Sequence, residues 1–215
     1  MIGSLLYLTA SRPNLCLSVG ICACYQACPK QSHLTAVKRI IKYVNGTLDY
    51  GIFYSKDTHD NLIGFCDSDW AGSADDQKST SGGCFFLGNN LISWHSKKQN
   101  SVSLSTAEAE YIVLGSCCTQ LVWMKQMLLD YDKTSDTMAI FCDNTSAINI
   151  AKNPVMHSHT KHIAIRHHFI RELVENKTVA IAHIPTEQQL ADIFTKPLDY
   201  VRFITLRKSL GVCSL

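Results

Sequence analysis

Residues 65–72 read FCDSDWAG, an apolar run that ends in two carboxylates, Asp67 and Asp69, ahead of a tight small-residue turn. Alternation along the run puts Ile63, Phe65 and Asp67 on one face of a strand, so Asp67 points where its apolar neighbours point. Carboxylates rarely sit there without a partner or a cation. The same ending recurs in MAIFCD, residues 138–143, where Ala139, Phe141 and Asp143 alternate and Asp143 comes last. A helix N-cap for the following NTSAINIAK competes with a functional role for Asp143. Two strands ending alike favour function. Asp69 reads as a turn residue or a support for the site, and a direct role stays open.

The pattern around these strands sets the fold. Strand-like runs at 62–67, 82–88 and 91–96 are separated by Gly and Asn breaks, which predicts an antiparallel meander. A helix is expected at 106–129, a strand at 138–143, helices over NTSAINIAK and 161–176, a strand at 178–184, and helices near 187–195 and 199–209. Strands that first run as a meander and then alternate with helices predict an α/β fold, a mixed five-stranded sheet with helices on both faces. Ahead of it, residues 13–28 read as a helix between Pro13 and Pro29. A second helix follows, capped by Ser32, closed by Asn45-Gly46, and apolar at Val37, Ile40, Ile41 and Val44. Its other face carries Lys38, Arg39 and Lys42, either a solvated stripe or a phosphate-contacting one. The turn-like KDTHDN at 56–61 marks a boundary.

The long helix offers two acids. STAE at 105–108 fits a capping box, with Ser105 as cap and Glu108 reaching back to the cap's backbone. Glu110 lies about 200° further round the helix and lines up with Leu114, Cys117, Leu121, Met124 and Leu128, the sheet-facing stripe. Glu110 is therefore preferred as the inward acid. A fourth comes from IPTEQQLADIFTKPL, where a capping pattern of Thr186 with Gln189 places Asp192 in a short helix among Leu190, Ile193 and Phe194. Four converging carboxylates repel one another unless cations lie between them, and an all-oxygen set suits Mg²⁺ or Mn²⁺ over Zn²⁺. Two such ions suit phosphodiester hydrolysis, with Asp67, on the central strand, as the expected bridging ligand.

Bulk properties limit the alternatives. With 215 residues, 46% of them hydrophobic and 18% charged, the chain supports one sizeable core and a smaller appendage. A formal charge of +2 confines any nucleic-acid surface to a local patch. The ten Cys fall mostly in apolar runs with no CxxC pair, and read as reduced, buried hydrophobes without a zinc site. The apolar opening mimics a signal peptide or a membrane span, but Arg12 and Pro13 split it, so a buried helix of an intracellular protein is expected. His157, His159, His162, His167 and His168 lack the paired Cys of a zinc module; an amphipathic helix presenting Lys161, Arg166 and Arg171 outward is the simpler reading. Lys97-Lys98 suit contact with a duplex backbone or a solvated turn. Trp94 and Trp123 read as core, whereas Trp70 either packs under the site or stacks on substrate.

The motifs CDSDWAG, KSTSGGCFFLG, ISWHSKKQ, LSTAEAEY, FCDNTSAI, HTKHIAIRHHFIRE and EQQLADIFTKPL, in this order, resemble the ribonuclease H domain of copia-type retrotransposon polyproteins. The front of the chain, through HLTAVKRIIKYVNGTLDYGIFY, resembles the last part of that family's reverse transcriptase. The resemblance implies a ribonuclease H-like fold over 61–200, a helical reverse-transcriptase remnant over 1–55, and a C-terminal helix and tail over 201–215. It implies cleavage of the RNA strand of RNA:DNA hybrids, with Asp67, Glu110, Asp143 and Asp192 as catalytic, metal-binding acids holding two Mg²⁺ (or Mn²⁺) ions. Lys97, Lys98, Asn144, Lys161 and Arg166 are the substrate-binding candidates. The implied partners are the hybrid and the rest of the polyprotein, including its reverse transcriptase, with no membrane; the setting is cytoplasmic, with the nucleus as the alternative. Ala164, His159 and Asn14 depart from the family pattern, where an acid, Arg and Asp are usual. The competing reading is a catalytically silent retrotransposon remnant that only binds nucleic acid.

Overall fold

A computed structural model describes residues 1–133, 137–152 and 164–214. Helices α1 (Ile2–Leu8), α2 (Cys16–Cys24) and α3 (Gln31–Asn45) come first, then strand β1 (Tyr50–Ile52). Next are β2 (Leu62–Asp69), β3 (Thr80–Leu87), β4 (Asn90–Lys98), the long helix α4 (Thr106–Leu129) and β5 (Met138–Cys142). Helices α5 (Thr145–Lys152) and α6 (Ala164–Glu175), strand β6 (Val179–His183), helix α7 (Tyr200–Ser209) and strand β7 (Val212–Ser214) complete the chain.

Five strands form one sheet in the order β4-β3-β2-β5-β6. The first three make the expected meander, with Asp67 opposite Gly82 and Gly82 opposite Ser96. β5 runs parallel to β2, and β6 parallel to β5. This is the expected mixed α/β sheet, and it has two consequences for a site. The chain leaves β2 for β3 and β4 on one side and returns through α4 to β5 on the other, so the carboxyl end of β2 lies at a topological switch point, where open α/β sheets hold ligands. Moreover, β2 and β5 pair only as far as Phe65↔Phe141, and beyond that the strands part. Asp67 and Asp143 stand at the mouth of that crevice.

Both faces of the sheet are covered. On one, Cys66, Phe85, Ile140 and Cys142 pack against α4, which is covered in turn by α5 and α6. Glu110, Leu114, Cys117, Leu121 and Met124 are buried on the expected stripe, and Tyr111 and Cys118 are buried as well. A helix sandwiched between two layers is apolar over most of its circumference. By composition α4 could also cross a membrane; here it is the central core helix. The other face, with Phe65, Cys84, Phe86 and Leu91, packs on a one-turn segment at Leu190–Phe194 and on Leu206, Leu210 and Val212. The helices α1 to α3 enclose a third core around Leu5, Leu15, Val19, Val37 and Ile40.

Several local expectations are corrected. Trp123 lies on the uncovered side of α4, 55% exposed, not in the core. Ile41 also faces solvent, as do Lys38, Arg39 and Lys42. The start of α3 is fixed by His33, whose Nδ1 accepts from the Lys30 amide at 3.0 Å, and not by Ser32. Residues 13–28 begin as a 3-10 turn at Pro13–Leu15, and the helix that follows ends at Cys24. Cys24 and Cys28 are exposed, although all ten cysteines are free and six are buried. The three-residue strands β1 and β7 pair antiparallel, Tyr50↔Ser214 to Ile52↔Val212, and are too short to leave a periodic signature.

Candidate metal centre

Asp67 is the sixth residue of β2 and is 2% exposed. Its Oδ2 accepts a short hydrogen bond from the Thr195 hydroxyl, from a residue 128 positions later. Asp143 follows β5 directly and is half-buried. The N-cap role that competed for it belongs to its neighbour: Asn144 Oδ1 accepts from the Ala147 amide at 3.0 Å. Asp143 Oδ2 instead accepts from the Thr186 hydroxyl at 2.8 Å.

The two acids of α4 divide as expected, with one shift. Ser105 Oγ caps the Glu108 amide at 3.2 Å, but Glu108 Oε2 reaches one residue further back, to the Leu104 amide at 2.8 Å. Glu110, 5% exposed, points to the sheet and accepts from the Ser68 amide at 2.9 Å. That bond fastens α4 to β2 one residue past Asp67.

Asp192 is 2% exposed, but no capped helix carries it. The segment is two 3-10 turns, Thr186–Gln188 and Leu190–Phe194, separated at Gln189 by extended backbone with ψ 104°. Pro185 precedes the first turn, and Gln189 caps the second by accepting from the Ala191 amide at 3.2 Å. Gln189 also donates through Nε2 to the Cys66 carbonyl at 2.9 Å. Arg202 of α7 holds Asp192 Oδ2 at 3.1 Å and donates to the carbonyls of Thr186 and Glu187.

The result is a compact acidic cluster. Carboxylate oxygens of Asp67, Asp143 and Asp192 all lie within 4.8 Å of one another, and so do ligand atoms of Glu110, Cys142 and Asp143. Asp143 is common to both groups, the central position that strand order had suggested for Asp67. Burial pushes the Asp67 carboxyl up to about 6, opposed by the Lys196 ammonium and reinforced by Asp192. Burial likewise raises Glu110 well above the ordinary carboxyl range, and the Asp67 charge adds to the effect. Burial lowers Lys196, but its two carboxylate neighbours, Asp67 and Asp192, outweigh this, and it stays charged. Lys196 Nζ lies 3.0 Å from Asp192 Oδ1 and 3.5 Å from Asp67 Oδ1. A buried, oxygen-rich set that penalises its own ionisation and draws in a cation fits a hard divalent metal ion.

The substrate-contact candidates are scattered. Lys97 is exposed on β4, and Lys98 pairs with Asp76 at 2.7 Å. Asn144 uses its side-chain oxygen as the α5 cap. Arg166 belongs to α6, and Lys161 lies outside the described residues. Trp70 is 46% exposed beside β2 and anchored by its indole N–H to the Ser103 carbonyl at 3.0 Å. Asp69 fills the turn after β2: its carboxylate lies over Gly72, where any Cβ would come within 1.8 Å of Oδ2. Thr195, Lys196 and Arg202 were not singled out from the sequence, and Thr186 and Gln189 were read only as a capping pair. For Thr195 and Lys196 the available signal was the FTKPL stretch that follows Asp192.

No protein-family model matches the chain. Over 213 residues it is 40% identical to the retrovirus-related Pol polyprotein from transposon RE2 of Arabidopsis thaliana, a match spanning 99% of this chain and 15% of that polyprotein. Over 215 residues it is 35% identical to the Pol polyprotein from transposon TNT 1-94 of Nicotiana tabacum, spanning 99% of this chain and 16% of that one. Among solved structures, ribonuclease H1 from the halophilic archaeon Halobacterium salinarum NRC-1 aligns with TM-score 0.45 and 13% identity, over 63% of this chain and 94% of that one.

Proposed function

Because this chain belongs to the Pol polyproteins of copia-type retrotransposons, we propose that it acts as their ribonuclease H, hydrolysing the RNA strand of RNA:DNA hybrids during reverse transcription. The observation that carries the proposal is the gathering of Asp67, Asp143 and Asp192, with Glu110 beside Asp143, at the switch point of the sheet. These four side chains would hold two Mg²⁺ or Mn²⁺ ions, which when bound supply an activated water and stabilise the leaving oxygen.

The chain's own residues supply position. Ser68 N–H orients Glu110, Thr195 orients Asp67, Thr186 orients Asp143, and Arg202 orients Asp192. Each carboxylate is therefore held before substrate arrives, which limits reorganisation during reaction. The half-exposed Trp70 ring, three residues after Asp67, offers a stacking surface, and Lys97, on the edge strand β4, offers a phosphate contact. The partners are the hybrid and the reverse transcriptase of the same polyprotein, in an intracellular setting, cytoplasmic or nuclear.

The test is a labelled RNA:DNA hybrid incubated with purified protein and Mg²⁺ or Mn²⁺, run beside Asp67→Asn. RNA cleavage confined to the hybrid and lost in the variant supports the proposal. A folded protein that leaves the hybrid intact with either ion overturns it in favour of a silent remnant.

A further inference from the structure

We infer that Lys196 is a tethered internal cation that competes with the first divalent ion for the acidic cluster, and so sets the metal concentration at which the site loads. The inference rests on the metal-site reading above. The Lys196 ammonium bridges one oxygen each of Asp67 and Asp192, at 3.5 and 3.0 Å. Both carboxylates are 2% exposed, so water does little to screen the contacts. A hard divalent ion binds carboxylate oxygens at about 2.0–2.6 Å, so an ion shared by Asp67 and Asp192 needs the space that Nζ occupies.

The tether is short and well anchored. Lys196 stands four residues after Asp192, its amide donates to the Asp192 carbonyl at 3.2 Å, and Pro197 restricts the backbone behind it. Its side chain is nevertheless 33% exposed, so the ammonium has a route to solvent when an ion displaces it. Arg202 plays a different part. It approaches Asp192 through the other oxygen, Oδ2, and spends further donors on the Thr186 and Glu187 carbonyls, which fixes it as a brace. Among the described residues, Lys196 is the one cation paired with two acids of the cluster.

The protein and the variants Lys196→Met, Lys196→Gln and Lys196→Arg are titrated with Mn²⁺ at low ionic strength, reading free Mn²⁺ by electron paramagnetic resonance, with Asp67→Asn as the site control. Thermal melts with and without Mn²⁺ are read in parallel. The expected result is Mn²⁺ affinity raised roughly tenfold in Lys196→Met and Lys196→Gln, near wild-type in Lys196→Arg, and weakened in Asp67→Asn. The neutral variants also melt lower without metal and gain more from Mn²⁺. Unchanged or weaker binding by a neutral variant that melts cooperatively overturns the competition, while binding by wild type but not Asp67→Asn leaves the metal site standing. Failure of wild type and all variants to bind millimolar Mn²⁺ overturns both. If one neutral variant does not fold, the other decides.

Discussion

The side-chain amide of Gln189 donates to the backbone carbonyl of Cys66 across 123 residues, at 2.9 Å, just before Asp67 in β2. It takes up a ladder group beyond the last β2–β5 pair, Phe65↔Phe141, and ties the Asp192 segment to the strand bearing Asp67. Replacing Gln189 with Leu leaves that carbonyl without its donor in a site where Gln189 itself is 0% exposed. The expected cost is about 1–3 kcal/mol, measured as a lower melting temperature together with weaker Mn²⁺ binding.

Gly82 lies opposite Asp67 in the β2–β3 ladder, and a Cβ there would come within 2.6 Å of Thr195 Cγ2 and 2.8 Å of Phe194 Cβ. Only a residue without a side chain lets the 3-10 segment approach β3 closely enough to bring Asp192 and Lys196 to Asp67. Gly82→Ala is expected to destabilise by about 1–3 kcal/mol and to lose hybrid cleavage more than it loses folded population, measured by activity at a temperature where the variant stays folded.

Burial holds Asp67 near 6, above its ordinary 3.8, so the folded, metal-free protein binds that proton more tightly than the unfolded chain does. The resulting destabilisation is fully present above about 6 and is relieved as pH falls toward about 4. Asp67→Asn should therefore melt higher than wild type without metal at pH about 7.5, by on the order of 2 kcal/mol, with the gap closing as pH falls through 6. Mn²⁺ binding by wild type should weaken over the same interval, because the ion needs the ionised carboxylate.

Asn14 and Arg207 are 3% and 5% exposed and both contact the Tyr43 hydroxyl, at 2.9 and 3.3 Å. Asn14 Oδ1 and Arg207 Nε have no hydrogen-bond partner. The two side chains meet at one hydroxyl, so an anion at position 14 would face the Arg207 cation across it. Asn14→Asp is expected to raise stability by about 1 kcal/mol at neutral pH, read as a higher melting temperature, and to leave Mn²⁺ affinity unchanged.

What could be read from the sequence follows a physical division. Asp67 and Asp143 stood out because period-two alternation points a side chain before any tertiary contact is known, and Glu110 separated from Glu108 because a capping box and an apolar stripe occupy different sides of a helix. The sheet was legible for the same reason: its strands are long enough to show their period. Gln189, Thr195 and Lys196 were not, since their roles depend on contacts with β2 more than a hundred residues away. The supposed helix around Asp192 failed because Gln189 faces two jobs, capping Ala191 and bonding to Cys66, which its extended backbone satisfies together. Trp123 misled because α4 is covered on two sides and open on a third.

The β1–β7 ribbon has a consequence for how the sheet sits in a longer chain. Tyr50 pairs with Ser214, and the Phe53 amide donates to the Gly211 carbonyl at 2.8 Å, so the backbone enters and leaves the sheet region at neighbouring points. A unit whose two ends meet can be carried within another polypeptide like a plug on adjacent pins, demanding little separation of the flanking segments. For a region that matches 15% of a polyprotein's length, adjacent ends let neighbouring parts of such a chain stay close to one another.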